Sequence, residues 1–286
     1  MSYNYLTPEA IQNFISNALH EDVQAGDHSS LASVPATAES KAQLIIKGNG
    51  ILAGVEMAKN IFAHVDPSLK LTFFKKDGDL VKKGEIGLEV TGKARSILTA
   101  ERLVLNCMQR MSGIATYTHE MSALIAHTKA KLLDTRKTTP NFRIAEKWAV
   151  KIGGGKNHRF GLFDMIMLKD NHNDFSGGIS KAVESTLAYL KENNLDLRIE
   201  VETRNLEEVK EALATNAVDV IMLDNMDNDM MREAVQLIDG KCETEASGGI
   251  DEQSIKGVAE TGVDYISVGA LTHSYKSLDI SLKAVS

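Results

Sequence analysis

Between Leu132 and His172 the chain reads LLDTRKTTPNFRIAEKWAVKIGGGKNHRFGLFDMIMLKDNH, and most of the residues able to do chemistry lie in or near this stretch. From Thr135 to Lys169 it holds Arg136, Lys137, Arg143, Lys147, Lys151, Lys156, Arg159 and Lys169 against only Glu146 and Asp164, eight cations to two anions in a chain of formal charge −7. A basic cluster is commonly a solvated helix face or a nucleic-acid patch. Here the cations stand at the ends of two short apolar runs, AKLLD and MIMLK, and beside a glycine-rich loop. That placement points to a pocket for small, highly charged anions.

Three further groups complete the inventory. Glu202 closes the run IEVE and Asp224 closes VIMLD, with Glu200 on the same strand face as Glu202. Acids at neighbouring strand ends suit Mg²⁺ or ribose hydroxyls; a Lys169–Glu pair of purely structural value is the plainer alternative. Ser247-Gly248-Gly249 and Val268-Gly269-Ala270 each follow an apolar run and precede a helix start, where backbone N–H groups bind phosphate. Either alone would pass for a plain turn. Gly153-Gly154-Gly155 before Lys156–Arg159 lacks the spacing of a P-loop and reads as a mobile loop delivering His158 and Arg159.

A repeating scaffold carries these groups. Apolar strands end near Arg136, Lys169, Glu202, Asp224, Ser247 and Gly269, and each interval holds one helical pattern. Strand–helix alternation with buried apolar strands predicts a parallel sheet with right-handed crossovers. Polar groups at successive strand ends are what a β/α barrel presents at its active face. A full barrel takes about 250 residues, so the roughly 140 here predict an incomplete one of six or seven strands.

The preceding chain reads as a separate α/β domain. Thr7-Pro8-Glu9 starts a helix with Ile11, Phe14, Ile15, Ala18 and Leu19 on one face. HEDVQAGDHSS, with His20, Glu21, Asp22, Asp27 and His28, matches no ligand spacing and reads as a polar loop. Residues 40–95 alternate as short strands around a helix at 55–65; their DGDLVKKGE turn pattern also occurs in biotin and lipoate carriers, but the MKM or DKA triplet those need is missing. A helix capped by Thr99 follows, with Leu103, Val104, Cys107, Met108 and Met111 on its apolar side. Arg102, Asn106, Gln109 and Arg110 form its polar stripe, and spacing alone makes both arginines solvated. Residues 274–286 read as a final helix packed back on the N-terminal domain. The expected division is 1–115, an α/β sandwich, and 116–273, the incomplete barrel.

With 286 residues, 43% hydrophobic and 25% charged, the chain supports a sizeable core, and its acidic pI of about 5.7 argues against nucleic-acid binding. Cys107 and Cys242 lack metal-type spacing and fit unpaired thiols in a reducing compartment. Neither a basic leader nor an apolar run of about 18 residues is seen, so a cytoplasmic protein without membrane contact is expected.

The motifs TAERLVLNCMQRMSGIAT, DTRKTTP, GGGKNHRFGLFDMIMLKDNH, EVE, IMLDN, ASGGI and SVGALTHS, in that order over nearly the whole chain, resemble those of the quinolinate phosphoribosyltransferase family. Asn141 departs from it, standing after TRKTTP where the family usually has glycine. The resemblance implies an α/β sandwich joined to an incomplete barrel, a homodimer or higher assembly, and Mg²⁺. It implies joining quinolinate to phosphoribosyl pyrophosphate, with release of pyrophosphate and CO₂. By motif, Thr135, Arg136, His158, Arg159 and Lys169 are implied to bind quinolinate, with Arg102 reaching in from the neighbouring subunit. Lys137, Glu202 and Asp224 are implied to face phosphoribosyl pyrophosphate, its ribose and Mg²⁺; Ser247, Gly248, Gly249, Val268, Gly269 and Ala270 are implied to take phosphate. Lys137, Lys169, Glu202 and Asp224 carry the implied catalysis. A barrel phosphoribosyltransferase for another anion, or a non-catalytic anion-binding protein of the same fold, are the competing readings.

Overall fold

Thr7 caps the first helix as its chemistry dictates: its hydroxyl accepts from Ala10 N at 3.1 Å, and Pro8 occupies the first turn, where a missing N–H is harmless. The computed structural model describes residues 4–285, so residues 1–3 of the expected sandwich and Ser286 of the expected final helix lie outside the described residues. The chain forms two compact units. A sandwich unit contains Asn4–His119, Thr138–Gly154 and the residues from Leu271; a barrel unit contains Glu120–Lys137 and Gly155–Ala270.

The sandwich unit begins with α1 (Pro8–Asp22) and α2 (His28–Ser33). The expected polar loop is therefore partly helical, because Asp27 accepts from Ser30 N at 3.1 Å and caps α2. Then come β1 (Glu39–Ile46), β2 (Gly50–Ile51), α3 (Val55–Val65), β3 (Lys70–Phe73), β4 (Leu80–Val81), β5 (Ile86–Lys93) and α4 (Ala94–Leu124). Ala42, Leu44 and Ile46 are buried at the two-residue period of a strand with one covered face. In α3, Ala58, Ile61 and Phe62 are fully buried at helical spacing. The long helix starts at Ala94 instead of after Thr99, following directly on β5. The Thr-Ala-Glu signal therefore lies inside a helix already under way.

The barrel unit is built on β6 (Lys131–Leu133), which is followed by α5 (Arg143–Ile152), a helix that counts with the sandwich unit. Next are β7 (Ile166–Leu168), α6 (Asp170–Ser176), α7 (Ile179–Glu192), β8 (Ile199–Thr203), α8 (Leu206–Ala214), β9 (Val220–Asp224), α9 (Asn228–Ile238), β10 (Glu243–Ser247), α10 (Ile255–Ala259), β11 (Tyr265–Ser267) and α11 (Ala270–His273). Six parallel strands run in the order β6-β11-β10-β9-β8-β7, the incomplete barrel expected from the repeat. Beyond β6, Lys156 makes a single parallel bridge to Leu133, with Lys156 N donating to Leu132 O at 2.8 Å. Asn205 caps α8 by accepting from Glu208 N at 3.0 Å.

The C-terminal stretch corrects the sequence reading. β12 (Ile280–Ala284) is a strand, not a helix, and pairs antiparallel with β1, giving the sandwich sheet the order β12-β1-β5-β3. Leu278, Ile280 and Leu282 are buried at period two, too short a run to tell from one helical turn in sequence. Nearby, Gly113 on α4 lies so close to the chain that an added Cβ would stand 2.4 Å from Lys276 O and 2.9 Å from Ser277 Cα. Backbone cannot swing aside as a side chain can. Gly113→Ala should therefore destabilise the protein by about 1–3 kcal/mol, read as a lower urea midpoint; an unchanged midpoint would show that the 274–278 segment is not packed as described.

Candidate active site

The C-terminal ends of β7, β8, β9 and β10 bring four expected groups together. Lys169 follows β7, and its Nζ lies 2.8 Å from Glu202 Oε2; the other Glu202 oxygen accepts from Asp170 N at 3.2 Å. The Lys169–Glu pair foreseen as the plainer alternative is thus present. Asp224 pairs in register with Ser247 on β10. Burial, then the charge of Glu202, pushes the Asp224 carboxyl up, while the Asn225 amide at 2.6 Å, the charge of Lys169 and a hydrogen bond from Ser247 pull it down. The two acids repel each other, and Lys169 offsets part of that charge.

Gly248 has φ +102°, and a Cβ there would lie 2.2 Å from Asn225 Oδ1, so only glycine lets this turn close on the β9 end. Asn225 N in turn donates to Ser247 O at 2.9 Å. In the second glycine turn the Val268 N–H already donates to Leu133 O at 3.0 Å, so that amide serves the fold.

The loop after Lys156 is held by two acids. Asp134, fully buried just past β6, accepts from Asn157 Nδ2 at 2.6 Å and from His158 N at 2.9 Å. Asp164 accepts from Phe160 N and Gly161 N at 2.7 and 2.8 Å. The His158 ring is 7% exposed, with Nε2 at 3.0 Å from Glu200 Oε2 and 3.4 Å from Glu245 Oε2. Its Nδ1 accepts from Arg159 N at 2.6 Å. Burial alone would lower the His158 imidazolium, yet hydrogen bonds and charge from Glu200 and Glu245 push it up to about 10. The Nδ1 contact opposes that, since an imidazolium has no lone pair to accept a main-chain N–H. An Nδ1 that accepts and an Nε2 that faces two carboxylates fit the Nε2–H tautomer, and burial, then the charge of Glu245, raises the Glu200 carboxyl.

Arg159 is half-buried and donates from Nη1 to Met165 O at 3.1 Å. Burial, then the charge of Arg136, lowers its pKa. Arg136 and Lys137 are exposed, and Lys137 N donates to Thr135 Oγ1 at 3.0 Å, tightening the turn after β6.

The remaining cations divide. Arg143, Lys147 and Lys151 stand on α5 in the sandwich unit, with Lys147 fully buried. Lys156 lies 5.4 Å over the Tyr265 ring. Arg102 is exposed on α4 of the sandwich unit. Arg110 is not a solvated arginine: it meets buried Glu146 at 3.2 Å, donates to Thr139 Oγ1 at 2.9 Å, and lies 5.1 and 5.5 Å from the Phe142 and Tyr275 rings. Glu146 also accepts from Thr139 N at 2.9 Å. Asn141 has φ +62°, a left-handed position asparagine tolerates, which accounts for its departure from the usual glycine.

Sequence reasoning missed Asp134 and Glu245. The available signal was position: Glu245 precedes Ser247 by two residues, as Glu200 precedes Glu202, so each shares its strand face with a strand-end group. A cavity of about 370 Å³ lined by Lys129, Asp219, Cys242, Thr244 and Asp264 opens at the opposite, N-terminal ends of β9 to β11.

Residues 27–112 match the family model for the N-terminal domain of quinolinate phosphoribosyl transferase, and residues 114–283 match that for its C-terminal domain. The chain belongs to the quinolinate phosphoribosyltransferase family. A Nicotiana tabacum relative named quinolinate phosphoribosyltransferase [decarboxylating] 2b, mitochondrial, is 51% identical over 281 residues, covering 93% of this chain and 80% of its own. The probable nicotinate-nucleotide pyrophosphorylase [carboxylating] of Bacillus subtilis is 42% identical over 272 residues, covering 95% and 92%. The crystal structure of NadC from Streptococcus pyogenes superposes with a TM-score of 0.91 at 40% identity over 99% of this chain and all of that one. As a quinolinate phosphoribosyltransferase family member the chain has the sandwich and incomplete barrel that its motifs implied. No helix among the described residues is long and apolar enough to cross a membrane.

Proposed function

We propose that this chain catalyses the decarboxylating transfer of phosphoribose from phosphoribosyl pyrophosphate to quinolinate, giving nicotinate mononucleotide, pyrophosphate and CO₂ in NAD biosynthesis. The family match over both halves of the chain carries this reading. A dicarboxylate and a pyrophosphate must meet in one site, and without dense cations their repulsion would keep them apart. Arg136, Arg159 and Lys169 receive the quinolinate carboxylates, with Arg102 of a second subunit; the mutual repulsion of Arg136 and Arg159 supports this, because a shared anion relieves it. Thr135 shapes the turn that presents Lys137 to phosphoribosyl pyrophosphate. His158 belongs to the same subsite. Ser247 to Gly249 and Val268 to Ala270 take the phosphate.

Glu202 and Asp224 face the ribose and fit Mg²⁺, being paired hard oxygen donors whose repulsion raises Asp224. When bound, that ion neutralises charge on the pyrophosphate. The quinolinate nitrogen attacks C1 of the ribose as the bond to pyrophosphate breaks, and Lys137 stabilises the departing charge. Decarboxylation follows: the bond from C2 to its carboxylate breaks, the electron pair stays on C2 stabilised by the adjacent positive pyridinium nitrogen, CO₂ departs, and C2 takes a proton from water. The working assembly is a homodimer in the cytoplasm, the latter supported by free Cys107 and Cys242.

Purified protein with quinolinate, phosphoribosyl pyrophosphate and Mg²⁺ should form nicotinate mononucleotide, followed by chromatography. Nicotinate should be used about ten- to a hundredfold less well, because one carboxylate gives up charge-assisted hydrogen bonds to this cluster worth about 1.5–3 kcal/mol; equal use of nicotinate sinks the dicarboxylate pocket. Asp224→Asn should raise the KM for phosphoribosyl pyrophosphate at least about tenfold and leave that for quinolinate within about twofold. Glu202→Gln should raise both, since it also releases Lys169; a quinolinate defect in Asp224→Asn alone would put the acid in the wrong subsite. Arg102→Ala and Lys137→Ala should each be nearly inactive. Dissociated and remixed in equal amounts, they should recover about a quarter of wild-type activity, since about half the dimers pair one of each and hold one intact site. Recovery no greater than the sum of the two, with mixing verified by mass, rules out Arg102 acting across subunits.

A further inference from the structure

Three buried acids from three different strands converge on one short loop. Asp134, just past β6, fixes the main-chain N–H of His158. Glu200 on β8 and Glu245 on β10, each 1% exposed, stand at Nε2 of the His158 ring. The other ring nitrogen accepts the main-chain N–H of Arg159. Both imidazole nitrogens therefore face protein groups, and the ring is enclosed.

We propose that Glu200 and Glu245 are positioning residues that act through His158 on Arg159, and that they set the affinity for quinolinate without touching it. This rests on the proposed role of Arg159 in carboxylate binding. The acids orient the ring through Nε2, which aims Nδ1 at the Arg159 N–H. With His158 N held by Asp134, the main-chain N–H groups of both residues are fixed from the barrel interior. The geometry explains why two carboxylates are buried against a single imidazole: both Glu200 oxygens and Glu245 Oε1 lack a hydrogen-bond partner among the described residues, so the 3.0 Å approach of Glu200 Oε2 to Nε2 acts through charge.

The same three side chains could offer a metal one nitrogen and two oxygens within 4.8 Å of one another. A metal on Nε2 requires the proton on Nδ1, the atom that accepts from Arg159 N. The hydrogen bond therefore favours the clamp over the metal.

Steady-state kinetics of Glu245→Gln, Arg159→Lys and the double variant test the clamp. Glu245→Gln should raise the KM for quinolinate at least tenfold, leave that for phosphoribosyl pyrophosphate within twofold and not lower the melting temperature. In the Arg159→Lys background the same change should add less than twofold, since its effect runs through Arg159. If Arg159→Lys binds quinolinate normally, the proposed site is wrong and the clamp with it. If Arg159→Lys is impaired while Glu245→Gln is normal, impairs both substrates equally, or adds its full effect in the double variant, the clamp alone is overturned. On the wild-type protein, ¹⁵N spectra of labelled histidine should show His158 protonated on Nε2 and unprotonated on Nδ1, with no change on adding Zn²⁺. An Nδ1–H ring, or a Zn²⁺ shift lost in Glu245→Gln, overturns the clamp without any variant having to fold.

Discussion

Burying a carboxylate without a partner costs several kcal/mol, and the barrel unit buries Asp134, Glu200, Glu202 and Glu245 in its strands or just beyond them. Each is answered differently. Asp134 takes two donors from the loop after Lys156. Glu202 takes Lys169 and the first N–H of α6, so the lysine and the helix are located together. Glu200 and Glu245 share His158. The loops at the mouth of the barrel unit are thus placed by charge inside it, and a change that neutralises an interior acid reaches the surface through its partner.

Much of this was readable in sequence because a parallel β/α repeat announces its own active end. Polar residues that close apolar strands at intervals of 22 to 33 residues mark the C-terminal mouth, and Lys169, Glu202, Asp224 and Ser247 do gather there. What spacing could not supply was orientation. A histidine beside an arginine in a glycine-rich loop reads as a pair of ligands facing outward. Only the strand order, which sets β8 and β10 on either side of β9, brings Glu200 and Glu245 to the ring that turns away. Asp134 is hidden as a single acid closing an apolar run, and Glu245 as the second of two acids in the polar run ETEAS.

In the sandwich unit the misreadings have a common cause: partners far off in sequence. The stripe of α4 contains Arg110, whose guanidinium looks solvated until the segment Thr139–Glu146 is folded against it. Thr99 resembles a cap because the strand feeding α4 leaves no loop to show the true start. The LDISLK run has the alternation of a strand, but only β1 as a neighbour makes that alternation meaningful.

The pairing of β12 with β1 has a consequence for how the chain is made. β1 leaves the ribosome early and its partner strand late, with the whole barrel unit translated in between. At about 5–20 residues per second, the β1 edge stays open for roughly 10–50 seconds in each round of synthesis. An apolar strand with unpaired amides is a template for pairing with other nascent chains. The sandwich unit, first to be made, is therefore last to be completed, and the growing polypeptide is at its most vulnerable to misassociation on a polysome while its barrel is still emerging.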